Sequence, residues 1–337
     1  MFLLRSANRR DLHGVLQLAK LLDSYNLADD KNYIRSLLHV SEASFAGDLS
    51  KEESRYLFVL EDTQRKEIIG SSLILAKHGT RESPHLYLDV FTERRTSRTL
   101  GKTVTHRCLK FGRETDGPTE VGGLVLKPHY RRHRHRHGLQ LSWVRFLYMA
   151  LHPARFQRRV LVEFLPPLRP GKGGGNPFWD ALGARFLGLP YHEADHLSIA
   201  NKEFILSLFP KEKIYCDLLP KEVLSSFGQV GPHGIHACHA LQRIGFRYLN
   251  QVEPFDGGPY YGATVDQIQV IRKACKGRVA IGKEGSQKVL VLAEREGLIR
   301  AAVVGVQRRG KELIFSTDLA KPLKLSDGDT VIYVPFP

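Results

Sequence analysis

Cysteine is scarce and scattered in this chain of 337 residues. Its four copies, Cys108, Cys216, Cys238 and Cys275, make no C-x-x-C pair and no ladder of spacings, which argues against a disulfide framework and against a thiolate zinc site. No apolar stretch approaches the ~20 residues that a membrane-spanning helix needs. The opening MFLLRSANRRDL already carries charge where a secretory leader would run on as an apolar core. The expectation is a cytoplasmic protein with no membrane partner. Negative charge is also in short supply: 35 Asp and Glu stand against 50 Lys and Arg, a formal charge of +15 with a pI near 9.7. Such an excess attracts polyanions, whether nucleotide-bearing cofactors, nucleic acid or acidic membranes, without choosing among them.

Apolar residues, by contrast, make up 42% of the chain, enough for a core in one large domain or two ordinary ones. FLLRSAN predicts a strand, and RRDLHGVLQLAKLLDS places Leu12, Val15, Leu16, Ala19 and Leu22 at helical spacing. YLFVLED and EIIGSSLILAK predict two antiparallel strands about a polar turn, and EVGGLVL and RRVLVEFLP two further strands. RPGKGGGNP, Arg169 to Pro177, predicts a flexible loop. PFWDALGARF follows as a short helix with Phe178, Leu182 and Phe186 on one face, and IHACHALQRIGFRYL predicts a helix ended by Gly245 and then a strand. Phe178, Trp179, Phe186 and Trp143 are expected in the core. From about Ala280 the pattern becomes short alternating strands, KVLVLAE, IRAAVVGVQ, ELIFST and TVIYVPF, which predict a small β-barrel or sandwich.

Positive charge is most concentrated in LVLKPHYRRHRHRHGLQLSWVRFLYMA, Leu124 to Ala150, where seven consecutive Arg and His residues separate a strand from a helix. A strand that delivers a basic loop to a helix N-terminus makes an anion site, because the first helical N–H groups have no internal partners and the dipole adds positive charge. Arg131, Arg132, Arg134 and Arg136 supplement those amides, and Gly138 stands where backbone can approach a pyrophosphate. His129, His133, His135 and His137 would share a face in an extended segment, but the intervening arginines repel a dication, so no metal is expected. Only Tyr130 adjoins the run as a stacking aromatic, so nucleic acid is not the expected partner. A solvated loop without a ligand is the plain alternative.

The order of elements, with Ala237, Leu241, Gly245 and Phe246 in an A-x-x-x-L-x-x-x-G-F unit, resembles the GNAT acyl-CoA N-acyltransferases, in which this loop holds the CoA pyrophosphate. PFWDALGARF, EADHL, PKEKIY, FGQVGP, GFRYLN and FDGGP, in that order and together with YLFVLED and GGLVLKP, resemble the arginine N-succinyltransferase family over nearly the whole chain. The resemblance implies an α+β fold: a GNAT-like mixed sheet flanked by helices, with a small C-terminal β-barrel module. It implies an acyltransferase domain over 1–276, in two GNAT-like halves if a break falls near 160–176, and a module over 277–337. The activity it implies is transfer of succinyl from succinyl-CoA to the α-amine of arginine, or of ornithine, in arginine catabolism. Succinyl-CoA or another acyl-CoA would be a co-substrate beside a small amine, with no tightly bound cofactor; assembly as a homo- or hetero-oligomer is left open.

The resemblance also assigns roles. Leu124 matches the family's succinyl-CoA contact, and Arg131, Arg132, Arg134, Arg136 and Gly138 complete the cofactor set. The family's proton-donor histidine lies in QVHP, where this chain has QVGP, so Gly231 takes its place. The family's aspartate after the cofactor strand is Lys127 here. His233, His236 and Glu163 are then the candidates for proton transfer, Tyr215 offers a phenol as another acid, and Asp195 and Asp256 would receive the substrate cation or cap turns, Asp256 before Gly-Gly-Pro chiefly the turn. The alternative is a homologue that binds CoA without catalysis, or a partner subunit of a two-chain succinyltransferase; a nucleic-acid-binding protein ranks below both.

Overall fold

The computed structural model describes residues 1–22, 27–167 and 176–337, with the side chains of 195, 199 and 200 left aside. The strands in chain order are β1 (Phe2–Ser6), β2 (Arg55–Asp62), β3 (Glu67–Leu75), β4 (His85–Ser97), β5 (Lys102–Glu114), β6 (Thr119–Leu126), β7 (Arg159–Glu163), β8 (Ile214–Tyr215), β9 (Arg247–Val252), β10 (Pro259–Thr264), β11 (Cys275–Ile281), β12 (Gln287–Arg295), β13 (Leu298–Arg309), β14 (Glu312–Phe315) and β15 (Thr330–Pro335). The helices used below are α1 (Leu12–Ala19), α2 (Lys31–Ala46), α3 (His137–Leu151), α4 (Pro177–Ala181), α5 (Gly183–Leu187), α6 (Tyr191–Ala200), α7 (Glu203–Leu208), α8 (Lys221–Ser226) and α9 (Ile235–Gln242). Most of the RPGKGGGNP stretch expected as a loop lies outside the described residues. The chain divides into two compact units, one of 1–77, 119–160 and 264–337, the other of 78–118 and 161–263. The limit at 160/161 lies within β7, whereas the residues on either side of 276/277 belong to the same unit.

In the first unit the alternation in RYLFVLED sorts side chains to opposite faces of an antiparallel sheet. Leu57 and Val59 join Val15, Leu18, Leu38, Leu73 and Val125 under α1 and α2. Tyr56 and Phe58 point the other way, their rings 5.1 and 5.6 Å from Tyr148 of α3. β1 pairs antiparallel with β2 and β13, β2 with β3, and β3 with β6. The helix α2 was not expected from the sequence. Asp30 caps its start by accepting the Tyr33 N–H at 2.7 Å, and Gly47 ends it in the left-handed region at φ +88°. The C-terminal strands close a five-stranded barrel, β12-β15-β11-β14-β13 and back to β12. Buried Val289, Val291, Ala302, Val304, Leu313 and Phe315 contribute to its core.

The second unit is organised by a hairpin that the sequence did not suggest. β4 and β5 pair in register from His85 opposite Glu114 to Ser97 opposite Lys102. β9 adds to β4, β10 to β9, and the short β8 to β5. Leu86, Leu88 and Leu109 pack with Phe178, Trp179, Phe209, Phe227 and Phe255. The Trp179 indole lies flat on Phe255, centroids 5.0 Å apart, and donates its N–H to the Leu189 carbonyl at 2.9 Å. Phe186, expected in this core, is 49% exposed. The reason is local: Leu182 at φ −127°, ψ −76° interrupts the helical path, so α4 and α5 are separate short helices and Phe186 loses the face that Phe178 occupies.

Candidate functional site

The cofactor candidates all lie in the first unit. Against β3, β6 carries one extra residue: Ser71 faces Val125 and Leu73 faces Gly122, so three steps on β6 answer two on β3. Gly123 sits at the irregularity with φ +54°, a conformation that glycine adopts without steric cost. A side chain there would also crowd Leu73, whose Cβ lies 3.0 Å from the site a Cβ would take. The Ser71 hydroxyl donates to the Gly123 carbonyl at 3.2 Å. Leu124, half-buried, follows directly.

β6 then feeds the basic loop. Pro128 to Tyr130 make one 3-10 turn, and the Arg131 Nε returns to the Leu126 carbonyl at 2.9 Å. Lys127 forms an ion pair with Glu67 at 2.6 Å. Arg131, Arg132, Arg134 and Arg136 are exposed. Arg132 and Arg136 hold φ of +54° and +52°, in the left-handed region that residues other than glycine seldom adopt. Arg136 is the N-cap of α3 and makes no side-chain cap bond, so the positive end of the helix is presented together with four arginines. Around Gly138 a Cβ would meet nothing within 4 Å. The arrangement leaves room for an anion at the start of α3.

The imidazoles of this loop stack instead of converging. His133 lies 4.9 Å from His135 and 5.1 Å from His137, with planes within 23° and 12° of parallel. His137 is 1% exposed, 4.2 Å from the Phe2 ring, and neither ring nitrogen has a hydrogen-bond partner. Burial first, then repulsion from His133 and His135, pushes its pKa down to about 4. Among the described residues no group of His, Cys, Asp or Glu is placed to hold a metal ion.

The proton-transfer and substrate candidates lie in the second unit. Glu163 ends β7, half-buried. Close by in charge, Glu253 accepts the Phe255 and Asp256 N–H groups at 2.6 and 2.8 Å, and buried Asp256 accepts that of Gly258 at 2.6 Å. Burial first, then the carboxylates of Asp256 and Glu163, hold the Glu253 pKa well above the ordinary range. Glu253 was not among the sequence candidates, and Asp256 in this geometry braces the turn of FDGGP. His233 and His236 are both exposed, in the turn before α9 and in its first turn. Tyr215 accepts a bond from Arg95 at 2.6 Å. Asp195 falls in α6, and its side chain lies outside the described residues.

Gly231 itself is buried, and its N–H donates to the Leu165 carbonyl at 2.8 Å. A Cβ there would stand 2.7 Å from the Pro166 oxygen and 2.9 Å from the Leu165 oxygen. A side chain at 231 therefore requires the Leu165–Pro166 backbone to shift.

A mixed α+β fold in which the bulged β6 leads through a basic loop to the start of α3 is the arrangement expected of an acyl-CoA N-acyltransferase. A family model described as "Arginine N-succinyltransferase beta subunit" matches residues 2–270. The "Arginine N-succinyltransferase" of Yersinia enterocolitica serotype O:8 / biotype 1B is 30% identical over 338 aligned positions, covering 98% of this chain and 96% of the relative. That of Enterobacter sp. (strain 638) is 31% identical over 337, with the same coverage. The solved arginine/ornithine succinyltransferase subunit AI from Pseudomonas aeruginosa superposes with a TM-score of 0.83 at 31% identity, covering 99% of this chain and 98% of that one. The chain belongs to the arginine N-succinyltransferase family.

Proposed function

We propose that the chain transfers a succinyl group from succinyl-CoA to the α-amine of arginine, or of ornithine, as a step of arginine catabolism. The observation that carries the CoA half of this reading is the bulged β6 leading through four exposed arginines to the uncapped start of α3. The donor and acceptor follow from family membership. In this reading the N–H groups at the bulge, near Leu124, polarise the thioester carbonyl, and the arginines with Gly138 take the phosphates. The amine nitrogen attacks the carbonyl carbon, the C–S bond breaks, and the thiolate leaves with a proton. Glu163, His233 and His236 are the candidates to move those protons, and Asp195 and Asp256 to receive the cationic end of the amine. The descriptions of the matched family and of the Pseudomonas structure both speak of a subunit, which supports assembly with a second chain.

Single Arg→Gln changes at 131, 132, 134 and 136 test the cofactor assignment. Each is expected to raise the KM for acyl-CoA about three- to tenfold and to leave kcat nearly unchanged, because phosphate contacts persist from ground state to transition state. Calorimetric titration of CoA into the fourfold variant is the decisive form. Affinity equal to that of the parent would remove the loop from the site. One observation favours a second reading, a CoA-binding chain without catalysis: Gly231, where the resemblance puts the family histidine, takes a side chain only if the Leu165–Pro166 backbone shifts. In that case CoA binds and no amine is acylated.

A further inference from the structure

Arg145 lies two turns into α3 and is 1% exposed, among the largest fully buried side chains of the chain. Its guanidinium reaches three oxygens, each at 3.3 Å: the Ser142 carbonyl from Nε, the Ser142 hydroxyl from Nη2, and the Gly122 carbonyl of β6 from Nη1. No carboxylate pairs with it among the described residues, and burial alone lowers its pKa to about 9, so it stays charged at neutral pH. A buried cation with no counter-ion opposes folding, and an apolar side chain of similar volume would pack there at less cost. What a leucine or methionine would not supply is the bond to Gly122.

That bond falls on the residue that begins the β6 irregularity. The Gly122 carbonyl and the Gly123 N–H belong to one peptide group, so a cation on the oxygen draws electrons from the nitrogen and strengthens the N–H as a donor. The planar fork also spans from α3 to β6, which fixes the peptide against rotation. We propose that Arg145 is a positioning residue for acyl transfer, holding and polarising the Gly122–Gly123 peptide so that the bulge of β6 is set to bind the thioester. This rests on the reading that the bulge of β6 meets the acyl-CoA.

Arg145→Met, Arg145→Gln and Arg145→Lys test it. The methionine variant is expected to keep or raise the thermal midpoint, to bind CoA within about twofold of the parent, and to lose about ten- to a hundredfold in kcat with little change in the KM for acyl-CoA, the signature of a weakened transition-state donor. Lysine, with charge but no fork, is expected to fall between. A second readout needs no turnover: with isotope-labelled glycine, the Gly123 amide proton should move upfield in all three variants, because its peptide oxygen has lost or weakened its cation. A parent inactive on every amine would defeat the transferase reading alone, and the Gly123 resonance would still decide the role of Arg145. Should the methionine variant fail to fold, lysine and glutamine give the same spectral answer. An unshifted Gly123 amide, or parental kcat in a folded methionine variant, overturns the proposal.

Discussion

Gly231→His is expected to cost about 3 kcal/mol of folding stability, the upper range for forcing atoms into a packed site, and to leave turnover no higher than in the parent. The new Cβ would meet two backbone oxygens, those of Leu165 and Pro166, at 2.9 and 2.7 Å. Neither neighbour is the end of a flexible side chain, so relief requires the 164–166 backbone to move. That movement strains the Gly231 N–H bond to Leu165, at 2.8 Å the tie between the two segments. It also disturbs the next turn, since Gly258 already stands within 2.4 Å, at its would-be Cβ, of the Phe164 carbonyl. Thermal unfolding and acyl-transfer assays of the purified variant check both halves. A variant as stable as the parent and more active would show that the chain is a family member lacking only its imidazole.

The second large effect concerns acid. His137 is buried neutral with a pKa near 4, whereas an unfolded chain gives its imidazole about 6.5. The folded state therefore binds fewer protons between those values. The stability linked to His137 is fully present above about pH 6.5 and is lost as pH falls towards 4, on the order of 3 kcal/mol over the window at ~1.4 kcal/mol per unit. His133 and His135 repel its proton and add to the effect of burial, while Asp62 opposes them. His137→Phe keeps a ring against Phe2 and removes the titration. Urea midpoints measured at pH 7 and pH 4.5 should drop clearly further for the parent than for that variant. Equal drops would place the acid sensitivity elsewhere, in the paired carboxylates of the unit.

Period-two alternation made much of the fold legible in the sequence: β1, the β2–β3 hairpin, β6, β7 and the closing barrel all lie where apolar residues alternate or cluster. α2 was hidden because Ser41 and Ser44 occupy two buried positions of its inward stripe, so the helical pattern looks polar. Their roles appear only in the fold, where Ser41 accepts the Leu57 N–H and Ser44 that of Arg55. The β4–β5 hairpin was hidden by charge. Arg94, Arg95 and their neighbours extend beyond the core, where the strands are exposed and nothing enforces apolar alternation.

The site divides in the same way. The basic loop is conspicuous in the sequence because charge density survives translation into structure. Glu253 is not, because its importance comes from burial beside Asp256 and Glu163, a relation across 90 residues of chain that spacing does not encode. Arg145 escaped for the opposite reason. α3 is buried nearly all round, and an arginine inside such a helix is indistinguishable by composition from one on a solvent face.

Succinyl transfer to the α-amine of arginine can be observed on both of its products. Incubating the purified chain with succinyl-CoA and arginine, and reading the amine by mass while titrating the released thiol, tests it most directly. One added succinyl group per thiol freed is expected, with ornithine accepted as well and acetyl-CoA a poorer donor. Bound CoA with no mass gain on either amine, from the parent chain and under conditions where the Yersinia or Enterobacter relative is active, would contradict it.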